Sequence, residues 1–138
     1  MILLDKVYRY LALRPRSEKE IIDYLKKKRA SFKERQKILT LLKQQDLIDD
    51  IAFTDWWLDQ RSSFRPKGRI ALKMELRKKG IAQEIIEKKL TEIDELTLAR
   101  KAIQKKSRDP QKITTFLKYR GFSWPTIKSV LAELFGKL

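Results

Sequence analysis

The sequence predicts an all-α protein of three tandem three-helix repeats in an elongated, curved array. Three observations lead there. Apolar residues recur at i, i+3, i+4, i+7, as in Leu4, Val7, Tyr8 and Leu11 or Ile127, Val130, Leu131 and Leu134, which is the period of an amphipathic helix. No alternating run of strand length competes. The chain also resembles itself. Arg14-Pro15-Arg16 stands 51 residues before Arg65-Pro66-Lys67, and at that offset Leu25-Lys26-Lys27-Lys28 answers Leu76-Arg77-Lys78-Lys79. Leu76 through Ile81 recurs 41 residues on as Leu117-Lys118-Tyr119-Arg120-Gly121-Phe122, with Ile86 falling on Ile127 and Leu90 on Leu131. Self-similarity at such a period marks a stacked array. The repeats are set at residues 1–48, 49–92 and 93–138. Units this small are marginal on a lone core, so each is expected to lean on its neighbours.

The first helix runs to about Arg14, because Pro15 disfavours helical geometry in the residue before it. Ser17 and Glu20 have capping-box spacing and open a second helix to about Arg29, with Ile21, Ile22 and Leu25 inward. Ser31 and Glu34 repeat the box before a third helix carrying Ile38, Leu41 and Leu42. This unit lacks a glycine between its second and third helices, and its connection there reads as longer than the others. Asp49-Asp50 caps the fourth helix, where Phe53, Trp56 and Trp57 form the apolar stripe. The fifth is expected at about 66–79. Pro66 suits a first turn, where its missing N–H has no partner anyway, and Gly80 can take the left-handed cap. Ile70 and Met74 lie roughly opposite Leu72 and Leu76, so this helix is expected to be gripped from two sides. Ile81, Ile85, Ile86 and Leu90 mark the sixth. The last unit begins near Ile93, with Leu96, Ala99 and Ile103 inward. Asp109-Pro110 is a cap and first turn for a helix carrying Ile113, Phe116 and Leu117 and ended by Gly121. Ser123, Trp124 and Pro125 start the ninth, and Gly136 stops it.

The net charge is +15, distributed as +7, +2 and +6 over the three repeats. That much charge on so short a chain points to a polyanionic partner. The basic runs Lys26–Arg29, Arg77–Lys79, Lys105–Arg108 and Lys118–Arg120 each fall near a helix C-terminus. Pairing with the helix dipole accounts for one or two charges per helix. Recurrence at one place in every unit would line the charges along one side of the array, as a long anionic track requires. Histidine, cysteine and asparagine are absent, which removes the common zinc ligands, the usual general base and every histidine triad. No metal, no cofactor and no enzymatic activity are expected. Asp55 and Asp59 lie one turn apart and could hold magnesium for nuclease chemistry; the preferred reading is that they decorate a wet face. Trp56 and Trp57 could stack on bases but sit on the core stripe. Tyr119, between Lys118 and Arg120, is the better stacking candidate. There is no phosphate-loop pattern, no apolar stretch of membrane-spanning length and no signal-peptide pattern. A soluble, cytoplasmic monomer is expected.

In order and spacing these motifs resemble the RecX family, recombination regulators that modulate RecA. The likeness covers nearly the whole chain. Its best parts are Leu47-Ile48-Asp49-Asp50 followed by Phe53, then Arg65-Pro66-Lys67-Gly68 through Leu76-Arg77-Lys78-Lys79-Gly80-Ile81. Tyr10-Leu11, Arg14-Pro15-Arg16-Ser17-Glu18 and Leu25 carry it in the first unit; Leu117, Arg120-Gly121-Phe122 and Ile127 carry it in the last. It departs at Arg29-Ala30-Ser31, where the family tends to have glycine and an aromatic. The resemblance implies binding along the groove of the RecA–single-stranded DNA filament, spanning neighbouring RecA subunits. It implies damped filament extension, ATP hydrolysis, strand exchange and co-protease activity. The family can also bind DNA itself, so single-stranded and double-stranded DNA stand as further partners. The expected filament or DNA contacts are Arg65, Lys67, Arg77, Lys78 and Lys79 in the middle repeat. Lys26 and Lys27 join them from the first repeat, Lys118 and Arg120 from the third. The alternative is a stand-alone helical DNA-binding protein that places the helix at 66–79 in a major groove.

Overall fold

A computed structural model describes residues 2–104 and 108–136. Among these residues the chain forms nine α-helices and no strand. The first three are α1 (Leu3–Leu13), α2 (Glu18–Lys27) and α3 (Phe32–Gln44). Then come α4 (Asp50–Ser63), α5 (Arg69–Lys78) and α6 (Gln83–Thr91), and last α7 (Glu95–Ala102), α8 (Pro110–Tyr119) and α9 (Trp124–Phe135). Apolar packing groups them by threes. Val7, Ile21, Leu25, Ala30, Leu39, Leu42 and Ile48 form one buried cluster. Phe53, Leu72, Leu76, Ile81, Ile86 and Leu90 form the second. Ala99, Ile113, Leu117, Phe122, Ile127, Val130 and Leu131 form the third. Each fully buried aliphatic contributes about 1.5–3 kcal/mol. Dividing the apolar residues among three cores leaves a large surface. The chain exposes 9177 Å², against about 7,600 Å² for one compact domain of this mass.

The repeats share one turn, between their second and third helices. After α5, Gly80 N–H donates to the Arg77 carbonyl and Ile81 N–H to that of Leu76; after α8, Gly121 and Phe122 donate to Lys118 and Leu117. This is the Schellman closure, which needs a left-handed residue at its centre. Gly80 and Gly121 supply it at φ 76° and 82°. In the first repeat Arg29 stands at φ 60°, and Arg29 and Ala30 make the same two bonds to Lys26 and Leu25. That connection is therefore not longer than its counterparts. Its geometry is kept, at a cost of about 1–2 kcal/mol for a side chain in the left-handed region. The bonds put Leu25, Leu76 and Leu117 at one equivalent position, and all three are fully buried.

Several local expectations change. The Ser17/Glu20 and Ser31/Glu34 capping boxes form, and Asp109 caps α8 with Pro110 in its first turn. Helix α5, however, begins at Arg69 with Gly68 as its cap, so Pro66 precedes it. Leu72 and Leu76 are buried, whereas Ile70 is 55% and Met74 57% exposed; the helix is gripped from one side. Helix α3 buries Leu39 and Leu42 and leaves Ile38 and Leu41 at the margin. Part of the basic run Lys105–Arg108 lies outside the described residues.

The second helices meet end to end. The α8 C-terminus closes on the α5 N-terminus: Gly68 N–H donates to the Arg120 carbonyl (2.9 Å) and Ile70 N–H to the Gly121 carbonyl (3.1 Å). A Cβ at Gly68 would fall on Gly121, and one at Gly121 on Ala71. In the same sense the α5 C-terminus closes on the α2 N-terminus, where Lys19 Nζ reaches the Lys78 carbonyl (3.4 Å) and a Cβ at Gly80 would strike Lys19. The negative end of one helix dipole thus faces the positive end of the next. An acid at the first position of the next repeat's first helix completes each joint. Asp50 accepts from Glu18 N–H (2.9 Å) and Glu95 from Arg69 N–H (2.7 Å), each satisfying an otherwise unpaired donor of a helix N-terminus.

Candidate functional site

Two of the recurring basic runs, Arg77–Lys79 and Lys118–Arg120, sit at these joints, and part of their charge is used there. Lys79, the residue capping the C-terminus of α5, bridges to Glu20 of the first repeat (3.1 Å) and lies over the Trp57 ring at 5.2 Å. Arg120, the equivalent residue after α8, donates to the Pro66 carbonyl (3.2 Å) and lies over Phe116 at 4.7 Å. Lys67 is paired with Glu75 at 2.6 Å. Glu75 also accepts from Arg61 Nε and Trp57 Nε1, both at 2.9 Å. Burial pushes the Glu75 carboxyl upward, but the bonds from Lys67, Arg61 and Trp57 prevail and hold it below the usual carboxylate range. Lys26, Lys27, Arg65, Arg77, Lys78 and Lys118 are exposed. Because the shared turn fixes the register, Lys26, Arg77 and Lys118 occupy one equivalent position, one per repeat.

Two clefts open at the joints. That between the first and second repeats, about 290 Å³, is lined by Lys19, Glu20, Asp23, Lys27, Lys78 and Lys79 with Tyr10 and Tyr24. Its cations have acids beside them: Glu20 binds both Arg14 and Lys79, and Lys19 pairs with Asp23 at 3.4 Å. The cleft between the second and third repeats, about 390 Å³, is lined by Arg61, Arg65, Lys67, Ala71, Tyr119 and Arg120. Among the described residues no carboxylate lines it. Burial, and after it the neighbouring Arg65 charge, push the Arg120 guanidinium below its usual range.

A second surface carries no motif in the sequence. Ile70 and Met74 stand one turn apart on the open side of α5, with exposed Arg77 one turn further on. Period alone marks such residues as apolar but does not say whether a neighbour covers them. Of the acidic candidates, one is engaged and the other lies exposed. Asp55 pairs with Lys89 at 2.8 Å, and among the described residues no group of three or more His, Cys, Asp or Glu could hold a metal ion. Trp56 and Trp57 are half-buried, their rings 6.0 and 5.8 Å from Phe53.

Comparison with known proteins gives two family-model matches. Residues 4–32 match the family model of the first three-helix domain of RecX, and residues 49–90 that of the second. The regulatory protein RecX of Chlorobaculum tepidum is 33% identical over 97% of this chain and 89% of its own length. That of Pelodictyon phaeoclathratiforme is 35% identical over 90% and 83%. A crystal structure of RecX from Lactobacillus salivarius superposes with a TM-score of 0.79 at 28% identity, covering 95% of this chain and 93% of that one.

Proposed function

Because the chain belongs to the RecX family of regulatory proteins, we propose that it is a non-enzymatic regulator of RecA. It lies along the groove of the RecA–single-stranded DNA filament and inhibits filament extension, ATP hydrolysis, strand exchange and co-protease activity. It acts in the cytoplasm as an elongated, curved monomer. One observation carries the geometric part. The end-to-end second helices present exposed Lys26, Arg77 and Lys118 at equivalent positions, one per repeat. A periodic polymer can meet such a series step for step, and several weak contacts on linked units act at high effective concentration. Arg65, Lys78 and Lys27 extend the charged side. Lys79 serves it indirectly, through the joint it holds with Glu20; Arg120 both holds its joint and lines the cleft there, and Lys67 is paired with Glu75 inside its own repeat. The open Ile70–Met74 stripe between these charges suits a protein surface.

Duplex reading by α5 is the weaker alternative. A recognition helix leads with its N-terminal residues, and the α5 N-terminus is covered by the Arg120–Gly121 backbone.

The test is RecA's DNA-dependent ATPase with substoichiometric protein. Wild type is expected to slow it. The Arg77→Glu/Lys78→Glu double variant is expected to lose most of that effect at unchanged helicity. Full inhibition by the double variant shows that another face makes the contact; no effect of the wild type removes the reading.

A further inference from the structure

The two joints are built to one plan, and the second lacks a piece. In the first, the Glu20 carboxylate holds Arg14 from its own repeat and Lys79 from the next. The repeat offsets place Arg65 where Arg14 stands, Arg120 where Lys79 stands, and Ala71 where Glu20 stands. Two guanidinium-bearing residues therefore line a cleft from which the carboxylate has been removed down to a methyl group. Arg65 and Arg120 line the one cleft, and burial, with the Arg65 charge added to it, lowers the ionisation of Arg120. Arg65 is also held at φ 54°, a left-handed conformation that costs a residue with a side chain. Nearby, Lys67 and Arg61 share Glu75, so four cations stand against one carboxylate. The position occupied by Lys27 and Lys78 in the other repeats is here Tyr119, 84% exposed on the same cleft. So exposed a ring gains little from burial and offers a face to a planar group.

We propose that this cleft seats one nucleotide of a single-stranded nucleic acid. The phosphodiester replaces the missing carboxylate between Arg65 and Arg120, and the unpaired base stacks on Tyr119. The volume, about 390 Å³, falls in the range of about 300–1,000 Å³ that takes a small organic group and exceeds what a lone ion needs. A paired base would not present its face, so a single strand is preferred over a duplex. The inference rests on the filament reading for its setting only; its chemistry is tested apart from RecA.

The decisive variant is Ala71→Glu, which restores the carboxylate. It is expected to raise the melting temperature and to weaken binding of a fluorescein-labelled oligothymidylate, read by anisotropy, by at least about tenfold, the scale of one lost charge-assisted contact. Ala71→Gln, of equal size without charge, is expected to bind the strand as wild type does. Tyr119→Ala is expected to weaken binding by about fivefold or more at an unchanged salt slope. Arg65→Gln is expected to flatten the slope by about 0.7, one phosphate contact. Inorganic phosphate should compete only weakly, since it cannot stack. Wild-type strand affinity in Ala71→Glu, equal loss in Ala71→Gln, or wild-type affinity in Tyr119→Ala overturns the proposal. Variants that lose the strand yet still slow RecA's ATPase support it and separate it from the filament reading. Variants that keep the strand and lose the RecA effect assign the cleft to protein instead, and overturn it.

Discussion

Asp50 and Glu95 occupy matching places in the two joints, yet their carboxyls are driven in opposite directions, and this makes a paired prediction. Glu95 is 2% exposed. It accepts from the backbone N–H of Arg69 (2.7 Å) and of Ser123 (3.3 Å) and from the hydroxyls of Ser123 and Thr126. Burial pushes its carboxyl up, but these four donors outweigh it and hold it below the ordinary value of 4.5. Its contribution is therefore full above that unfolded value and is lost as pH falls through the lower folded value. Asp50 has one such donor, Glu18 N–H. Burial and the nearby charges of Glu18 and Asp49 raise it above 3.8, so its charge costs stability at neutral pH. That cost disappears as pH falls through the raised value. Hydrogen bonds to a charged acceptor contribute about 1.5–3 kcal/mol each, and removing one partner of a buried charged cluster costs about 3–5 kcal/mol in all. Glu95→Ala should lose that amount at neutral pH. Glu95→Gln, which keeps an amide oxygen and lets the two hydroxyls reorient, should lose about 1–2 kcal/mol. Asp50→Asn should be neutral, or stabilising by up to about 1 kcal/mol, because its amide oxygen still accepts from Glu18. The assay is urea unfolding by far-ultraviolet circular dichroism, from neutral pH to about pH 3. The gap between wild type and Glu95→Gln should close on the acid side. Equal losses in Asp50→Asn and Glu95→Gln, or a gap independent of pH, would refute the account of both joints.

Other variants probe the turns and the closeness of the repeats. Gly121→Ala puts a methyl group on Ala71 at φ 82° and should cost about 2–4 kcal/mol, seen as a lower urea midpoint and weaker coupling of the last repeat. Arg29→Gly relieves a left-handed arginine and should gain about 0.5–1 kcal/mol, after the entropy glycine returns to the unfolded chain; an unchanged melting temperature would show that the turn holds no strain. Lys79→Glu should break the Glu20 bridge and lower stability, whereas Lys26→Glu, at an exposed site, should not.

The fold was legible where the signal is local. Ser17 with Glu20 and Ser31 with Glu34 are three residues apart, and each box forms from its own segment. The offsets of 51 and 41 residues located the equivalent helices because one turn is repeated. What remained hidden depends on distant partners. Asp50 reads as part of a local cap, and its reach to Glu18 is visible only once the repeats are packed. Lys79 and Arg120 read as members of basic runs, but their bonds go to Glu20 and Pro66 of the preceding repeat. The exposure of Ile70 and Met74 could not be inferred, since an apolar stripe looks the same whether or not a neighbour lies on it. The missing carboxylate at Ala71 was present in the alignment of the repeats. It acquired meaning once Glu20 was seen gripping two cations.

The two joints are also fastened by different kinds of contact. Backbone hydrogen bonds and interlocked glycines fasten the second repeat to the third, and neither responds much to ionic strength. Among the described residues the first repeat is fastened to the second through side chains, chiefly Lys79 with Glu20, Lys19 with the Lys78 carbonyl and Asp50 with the Glu18 N–H. Long side chains swivel, and the ion pair among them weakens in salt. Bending should therefore concentrate at one hinge, with the joined helices α5 and α8 moving together as a lever and the first repeat swinging against them through an angle that widens as salt is added.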